Sequence, residues 1–503
     1  MSLETIAAVE GESMRPIWVL LISVAWVVLS IAKFKIHPFL SLMVGALIVG
    51  LLSGPLPETT IENKGLFHSR VELNPSETSY SEPTLAIKWS LYGFGNTAGG
   101  VGLVIALAAI VGTCMMKSGA AERVVRHLLG VFGLERAGLV LLISGFLLSI
   151  PVFFDTVFFL LIPLARAMSF RLGSRYLYFV MTMAGAGAIT HSMVPPTPGP
   201  LMIAEFLSIE IGHAMLAGLI ASIPLAFLVL WVSGWFDRKF NFPMRPVAGI
   251  RNEDLKRTLE KDLNQLPPLF QSYLPIVLPV LLISSVSIIK VLYSQGLELE
   301  LDSFFFRILS FCGDPNIAMS IAALISIFLL IGYGKNDLSK EDKPASTSKI
   351  LEAPLLTAAS IILITGAGGA YGGMIRLSGV GEVIGTFATR MELSYILLAW
   401  SVTAFIRVAQ GSATVAMITG AGLMASIVGN GNDLGYHTGY LFLAIGFGSI
   451  TLSWMNDSGF WVVQKLSGLT ENEMLKTWTV LLTVISVFGL ILSLAGSVLL
   501  PLK

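Results

Sequence analysis

The sequence predicts an all-α polytopic membrane protein made of two repeats in inverted topology, each interrupted by broken helices or re-entrant hairpins. Composition is the first ground. The chain of 503 residues is 54% hydrophobic and 13% charged, with a mean hydropathy of +0.79, far from a soluble domain of this length. The second is the recurrence of uncharged runs long enough to cross a bilayer. The third is internal repetition. Lys117-Ser118-Gly119-Ala120-Ala121-Glu122 returns as Leu377-Ser378-Gly379-Val380-Gly381-Glu382, and the block Gly185-x-Gly187-x-Ile189-Thr190 returns as Gly446-x-Gly448-x-Ile450-Thr451. The shift is 260 residues from Ser118 to Ser378 and 261 from Gly187 to Gly448. One register over both blocks points to duplication of a long unit.

The clearest uncharged runs are residues 17–32, 89–116, 353–375 and 477–502. About 20 apolar residues cross the roughly 30 Å hydrocarbon core, so the last three cross easily and the first barely does. Glu4, Glu10 and Glu12 precede Arg15, the wrong charge order for a secretory signal, so the first run reads as a retained helix. Lys33 and Lys35 follow it, and residues 238–261 and 335–349 are basic, whereas residues 55–83 carry five glutamates and residues 297–302 are acidic. Positive residues mark the cytoplasmic side. That places the amino terminus and residues 55–83 outside a bacterial inner membrane, and residues 238–261 inside. Residues 123–136 then fall inside and their repeat partners 382–392 outside, which is what an inverted repeat requires.

The domain reading is a first membrane repeat over residues 1–236, with an external loop at about 55–90, a cytoplasmic linker over 237–272, and a second repeat over 273–503. A net charge of +0 suggests no nucleic-acid partner. Cys114 and Cys312 offer neither a disulfide framework nor a metal-ligand set, and read as small apolar fillers. Nothing calls for a cofactor or a metal.

Polar residues inside the apolar halves carry the functional signal. Asp155 stands between two hydrophobic runs, and its repeat equivalents lie around Arg407, Gln410, Gly411, Ser412 and Thr414. An ionisable group at membrane depth costs several kcal/mol, so it must meet water, a partner or a ligand. Asp155 has an alternative reading as a structural or interfacial residue, and Arg407 one as a side chain snorkelling to the membrane surface. Pro195, Pro196 and Pro198 remove backbone donors around Thr197, so this stretch cannot be continuous helix. In the repeat register it falls opposite Asn456-Asp457-Ser458-Gly459, a polar break with a permissive glycine. Irregular backbone at membrane depth survives only inside protein or beside a water-filled cavity. Paired breaks in matching positions of two hydrophobic halves point to a transporter binding site. His191 is open between a packed polar residue and a participant in proton traffic.

These residues carry a resemblance. Pro151-Val152-Phe153-Phe154-Asp155, the run from His191 to Pro200, the run from Arg407 to Thr414, Asn456-Asp457-Ser458-Gly459-Phe460-Trp461 and the closing Leu475-Lys476-Thr477-Trp478 together resemble the gluconate permease family, in the family's order. The likeness covers about residues 90–240 and 350–500. It departs at Thr156-Val157, where a small apolar residue and glycine are expected, and in the length of the 55–83 loop and the linker. The resemblance implies a proton-coupled symporter of gluconate or a related sugar acid within the ion transporter superfamily. That superfamily joins scaffold helices to a mobile transport domain with two re-entrant hairpins, often in dimers, which implies elevator-type alternating access in a homodimer.

On this footing the substrate carboxylate meets free N–H groups at the breaks and the hydroxyls of Thr197, Ser412, Thr414 and Ser458, with Arg407 added if it points inward. Gln410 and Asn456, which both donate and accept, suit the substrate hydroxyls. Coupling needs a titratable group, and Asp155 and Asp457 are the acidic residues deep in the motifs. The main alternative is a sodium-coupled carboxylate carrier, since broken helices also bind sodium through carbonyl oxygens. An intramembrane hydrolase lacks a Gly-x-Ser-x-Gly elbow or a His-Glu-x-x-His motif, and a passive channel leaves the titratable groups unexplained.

Overall fold

The computed structural model describes residues 15–57, 59–60, 71–72, 81–245, 265–294, 303–334, 347–379, 394–429 and 434–502. The Glu382 copy of the first repeat block, the acidic segment 382–392, most of the linker and most of the 55–90 loop lie outside them. Within that loop, Thr59–Thr60 pairs antiparallel with Val71–Glu72.

Apolar sequence and few charges make helix the only economical backbone here, because each N–H and C=O must be satisfied within its own segment. Helices α1 (Arg15–Ala32) and α2 (Pro38–Leu52) lead into α3 (Glu82–Lys117), whose 36 residues exceed what a bilayer crossing needs. After α4 (Ala120–Phe132) the chain bends by 112° and continues as α5 (Ala137–Leu148). Then come α6 (Phe154–Leu172), α7 (Tyr176–Met193), α8 (Pro198–Phe206) and α9 (Ile211–Phe240). Helices α10 (Leu269–Ser294), α11 (Phe304–Cys312) and α12 (Pro315–Tyr333) precede α13 (Thr347–Leu377). After that come α14 (Tyr395–Gln410), α15 (Ala413–Val428), α16 (Gly439–Gly448), α17 (Ser458–Ser467), α18 (Glu471–Lys476) and α19 (Trp478–Leu499).

Among the described residues, seven helices are long and apolar enough to cross a membrane, or eight if the bent α4–α5 pair counts as one crossing. This is a multi-pass membrane protein. The two halves match in places. Both α3 and α13 end on a Ser-Gly pair, and Gly119 and Gly379 take φ of +80° and +71°, a left-handed turn that suits glycine. In each half a helix–break–helix unit is followed by a second one, at α5–α6 and α7–α8, and again at α14–α15 and α16–α17. Around the expected linker, α9 runs to Phe240 and α10 begins at Leu269. Asp237 lies in α9, where its carboxylate accepts the N–H of Tyr178 at 3.2 Å.

Two layers follow from which helices touch. α13 lies along α3 and against α2, and α12 packs on α3 and α10. Among the broken helices, α7 lies between α5 and α9, α16 lies between α14 and α19, and α15 packs on the long helix α13 and on α8 from the first half. Helix α7 is buried nearly throughout, which explains its all-round apolar and small-residue surface. The second break, residues 194–197, is buried, whereas Leu452, Trp454 and Met455 of the fourth are exposed.

Candidate functional site

All four breaks open on one cavity of about 360 Å³, within the roughly 300–1,000 Å³ typical of small-molecule sites. Each break is followed by a helix whose first residues line it: Asp155 and Thr156 of α6, Pro198 of α8, Ala413 and Thr414 of α15, Ser458 and Gly459 of α17. Four helix amino termini thus face the same space. Unsatisfied N–H groups and aligned peptide dipoles make such ends attractive to anions.

Two of these ends are capped by side chains. Ser412 Oγ accepts the N–H of Val415 at 3.3 Å, and Asp457 Oδ1 accepts that of Gly459 at 2.9 Å. The ends of α6 and α8 have no side-chain cap.

Arg407 points inward. Its side chain is 3% exposed and its Nη2 lies 2.5 Å from Asp457 Oδ2, so the snorkelling alternative falls away. The Asp457 carboxylate also accepts from Ser453 Oγ, itself held by Trp478 Nε1 at 2.7 Å. Three donors therefore hold Asp457, which knits the fourth break to α14 and α19. Arg407 Nε and Nη1 have no partner among the described residues, and Arg407 lines the cavity.

Asp155 is the contrasting acid. It is exposed to the cavity at the start of α6, with no hydrogen bond or ion pair among the described residues. His191 and Ser192 at the end of α7 line the same space, and His191 Nδ1 is buried without a partner. Phe154 and Trp478, 5.7 Å apart between ring centroids, form an aromatic wall.

Three residues expected at the substrate stand behind the wall instead. Thr197 is 3% exposed and donates to the carbonyls of His191 (2.9 Å) and Val194 (2.8 Å), groups that the prolines after them leave without helical donors. Asn456 Nδ2 donates to the Val408 carbonyl at 2.9 Å, an acceptor orphaned where α14 ends. Gln410 is buried with both side-chain polar atoms unpartnered, and it is not among the residues that line the cavity. Gly411 explains the fit of the two breaks: its φ is +89°, and a Cβ there would come within 2.1 Å of the Asn456 carbonyl oxygen. Pro195 and Pro196 shape their break without reaching the cavity.

The sequence reading missed Phe153, Thr156, Ser192, Thr357 and Trp478 as wall residues. Trp478 belonged to a motif already noted, and Thr156 had been seen only as a departure. Thr357 sits in a uniform apolar helix with nothing to mark it.

A helical membrane bundle in which four broken helices meet at one polar cavity is a membrane transport protein. The GntP family permease model matches residues 15–64 and 85–499, and the chain belongs to that family. It is 33% identical to the gluconate permease of Pseudomonas aeruginosa over 95% of this chain and 97% of that one. It is 30% identical to the Gnt-II system L-idonate transporter of Escherichia coli, over 95% of this chain and 98% of the other. The fold is similar to the YdaH transporter of Alcanivorax borkumensis, with TM-score 0.60 and 14% identity over 93% of this chain and 100% of that one. It is also similar to Neisseria gonorrhoeae MtrF, with TM-score 0.58 and 14% identity over 93% of this chain and 96% of that one. A family of permeases sets aside the hydrolase reading.

Proposed function

We propose that the protein takes up gluconate or a closely related sugar acid together with a proton, by elevator-type alternating access between inverted repeats in a homodimer of the bacterial inner membrane. The amino terminus lies outside. The observation that carries this reading is the convergence of four helix amino termini on one cavity that Arg407, with two buried and unpartnered donors, also lines. A small carboxylate losing its hydration needs such a set, or its charge costs several kcal/mol. The names of the similar permeases agree with a sugar-acid substrate.

Charge counting suggests how coupling works. The cavity holds two carboxylates, Asp155 and Asp457, and one guanidinium, Arg407. The Arg407–Asp457 pair balances itself, which leaves Asp155 to repel an incoming anion. A proton on Asp155 removes that repulsion, so anion and proton each favour the other's binding by the same factor. Asp155 is then the proton carrier and Asp457 the fixed partner of Arg407, with His191 placed to pass protons between Asp155 and water.

The test is uptake into proteoliposomes. Gluconate should accumulate under an inward proton gradient, saturably, and with sodium replaced by choline. Equal transport of a neutral polyol of similar size would defeat the carboxylate reading. Loss of accumulation in choline would favour the sodium-coupled alternative.

A further inference from the structure

A smaller cavity of about 260 Å³ adjoins the central one and shares Phe153, Thr156 and Thr357 with it. Its other wall belongs to the paired long helices α3 and α13, through Thr113 and Lys117 on one side and Ile350 and Pro354 on the other. Three features give this space a chemistry of its own. Among the described residues Lys117 brings the one full charge to the lining; it is exposed and has no hydrogen bond or ion pair among them. Pro354 has no N–H, so the carbonyl of Ile350, four residues earlier in α13, lacks its usual helical donor. Thr113, Thr156 and Thr357 add hydroxyls; that of Thr357 donates to the Ala353 carbonyl at 3.2 Å and still accepts. One cation beside several neutral donors and acceptors is the pattern a polyhydroxy carboxylate presents in reverse.

We propose that this cavity is a second binding site for the transported anion, a way-station in which the Lys117 ammonium takes the carboxylate and the threonines and the Ile350 carbonyl take hydroxyl groups. Phe153 is the partition that the anion passes on leaving the central cavity for the cytoplasm, the side on which the proposed topology puts Lys117. The proposal rests on the sugar-acid reading above for the identity of the anion. Lys117 acts by attraction at that cytoplasmic mouth, so its effect belongs in the apparent Km for anion presented from the cytoplasmic side and weakens with salt, because exposed charges are screened over about 8 Å at physiological ionic strength.

The experiment uses the full-length protein in liposomes with radiolabelled gluconate, at low and high ionic strength. With gluconate supplied on the cytoplasmic face, Lys117→Gln should raise Km about threefold at low salt, the scale of a partly exposed charge pair, with maximal rate unchanged and the difference shrinking at high salt. Lys117→Arg should stay near wild type. An unchanged Km for Lys117→Gln at both salt concentrations, or equal defects in the glutamine and arginine variants, overturns the proposal. A second readout is independent of turnover. In a Cys312→Ser background, Thr113→Cys should react with an anionic thiol reagent, and gluconate should slow that reaction. Protection lost in Lys117→Gln and kept in Ser458→Ala supports a separate site; protection that follows Ser458 and ignores Lys117 overturns it. If wild-type protein fails to take up gluconate while Lys117-dependent protection persists, the transport reading falls and the way-station stands.

Discussion

The breaks of the two halves solve one problem with different chemistry. In the first half, prolines interrupt the helix, Thr197 satisfies the carbonyls they orphan, and Asp155 is left without a partner at the cavity. In the second half, glycine and polar residues make the interruption. Asp457 caps α17 there, pairs with Arg407 and receives Ser453, while Asn456 closes the end of α14. One half offers a free acid and the other a neutralised, cross-braced one. The two halves thus share a pattern of helix breaks and differ in their electrostatics, and under the proposed mechanism proton exchange and structural anchoring need not compete for the same side chain.

The sharpest way to break this contrast is to unpair the braced half. Arg407→Met leaves Asp457 as a buried carboxylate without its cation, an arrangement that costs about 3–5 kcal/mol. We expect a large drop in the thermal midpoint of the detergent-solubilised protein and no gluconate uptake. Arg407→Met combined with Asp457→Leu should recover most of the stability and none of the transport. If the double variant is as unstable as the single one, the pair is not what braces the fourth break. Arg407→Lys keeps the charge without the planar fork and should show a milder transport defect.

Neutralising the acids one at a time separates the halves by function. Asp155→Asn should abolish accumulation driven by a proton gradient and retain exchange of gluconate across the membrane, because exchange needs no net proton movement. Asp457→Asn should impair both, since Arg407 loses its partner and α17 its charged cap. Wild-type accumulation in Asp155→Asn at several pH values would end the assignment of the proton to this residue. Exchange lost in Asp155→Asn would make it a ligand for substrate instead.

This division was only partly legible in the sequence. The helix breaks, the residue types at them and the transport class were readable because proline, glycine and isolated charges stand out against apolar sequence. Which acid was free was not, since Asp155 and Asp457 look alike until Arg407, fifty residues from Asp457, is seen to choose one of them. Thr197 and Asn456 show a related ambiguity, since each bonds a backbone carbonyl at a break and neither lines the cavity. A polar side chain at a break can face the ligand or mend the backbone, and the sequence does not say which carbonyls the break has orphaned. Thr357 was invisible because its neighbour is a cavity wall formed by the other half.

Finer changes sharpen the distinction between wall and brace. Ser458 lines the cavity at the start of α17, and loss of one hydrogen bond to a charged group is worth about 1.5 kcal/mol, so Ser458→Ala should raise the Km for gluconate about tenfold. Ser412→Ala should raise Km and also lower stability by about 1 kcal/mol, because its hydroxyl caps α15. Equal Km values for Ser458→Ala and wild type would place the anion away from α17.

The smallest effect belongs to Thr197. Its hydroxyl bonds two carbonyls of its own break and does not line the cavity. Thr197→Val keeps the shape of the side chain and strands those two acceptors, for a cost of about 1–3 kcal/mol in stability. Thr197→Ser restores the donor and should restore the thermal midpoint. Because the residue never meets the substrate in this arrangement, the Km for gluconate should stay within about twofold of wild type in both variants, less than the tenfold that one lost charged hydrogen bond brings. A Km shift in Thr197→Val as large as that of Ser458→Ala would move Thr197 from the brace to the binding surface, and the two halves would then share substrate contacts more evenly than their hydrogen bonds indicate.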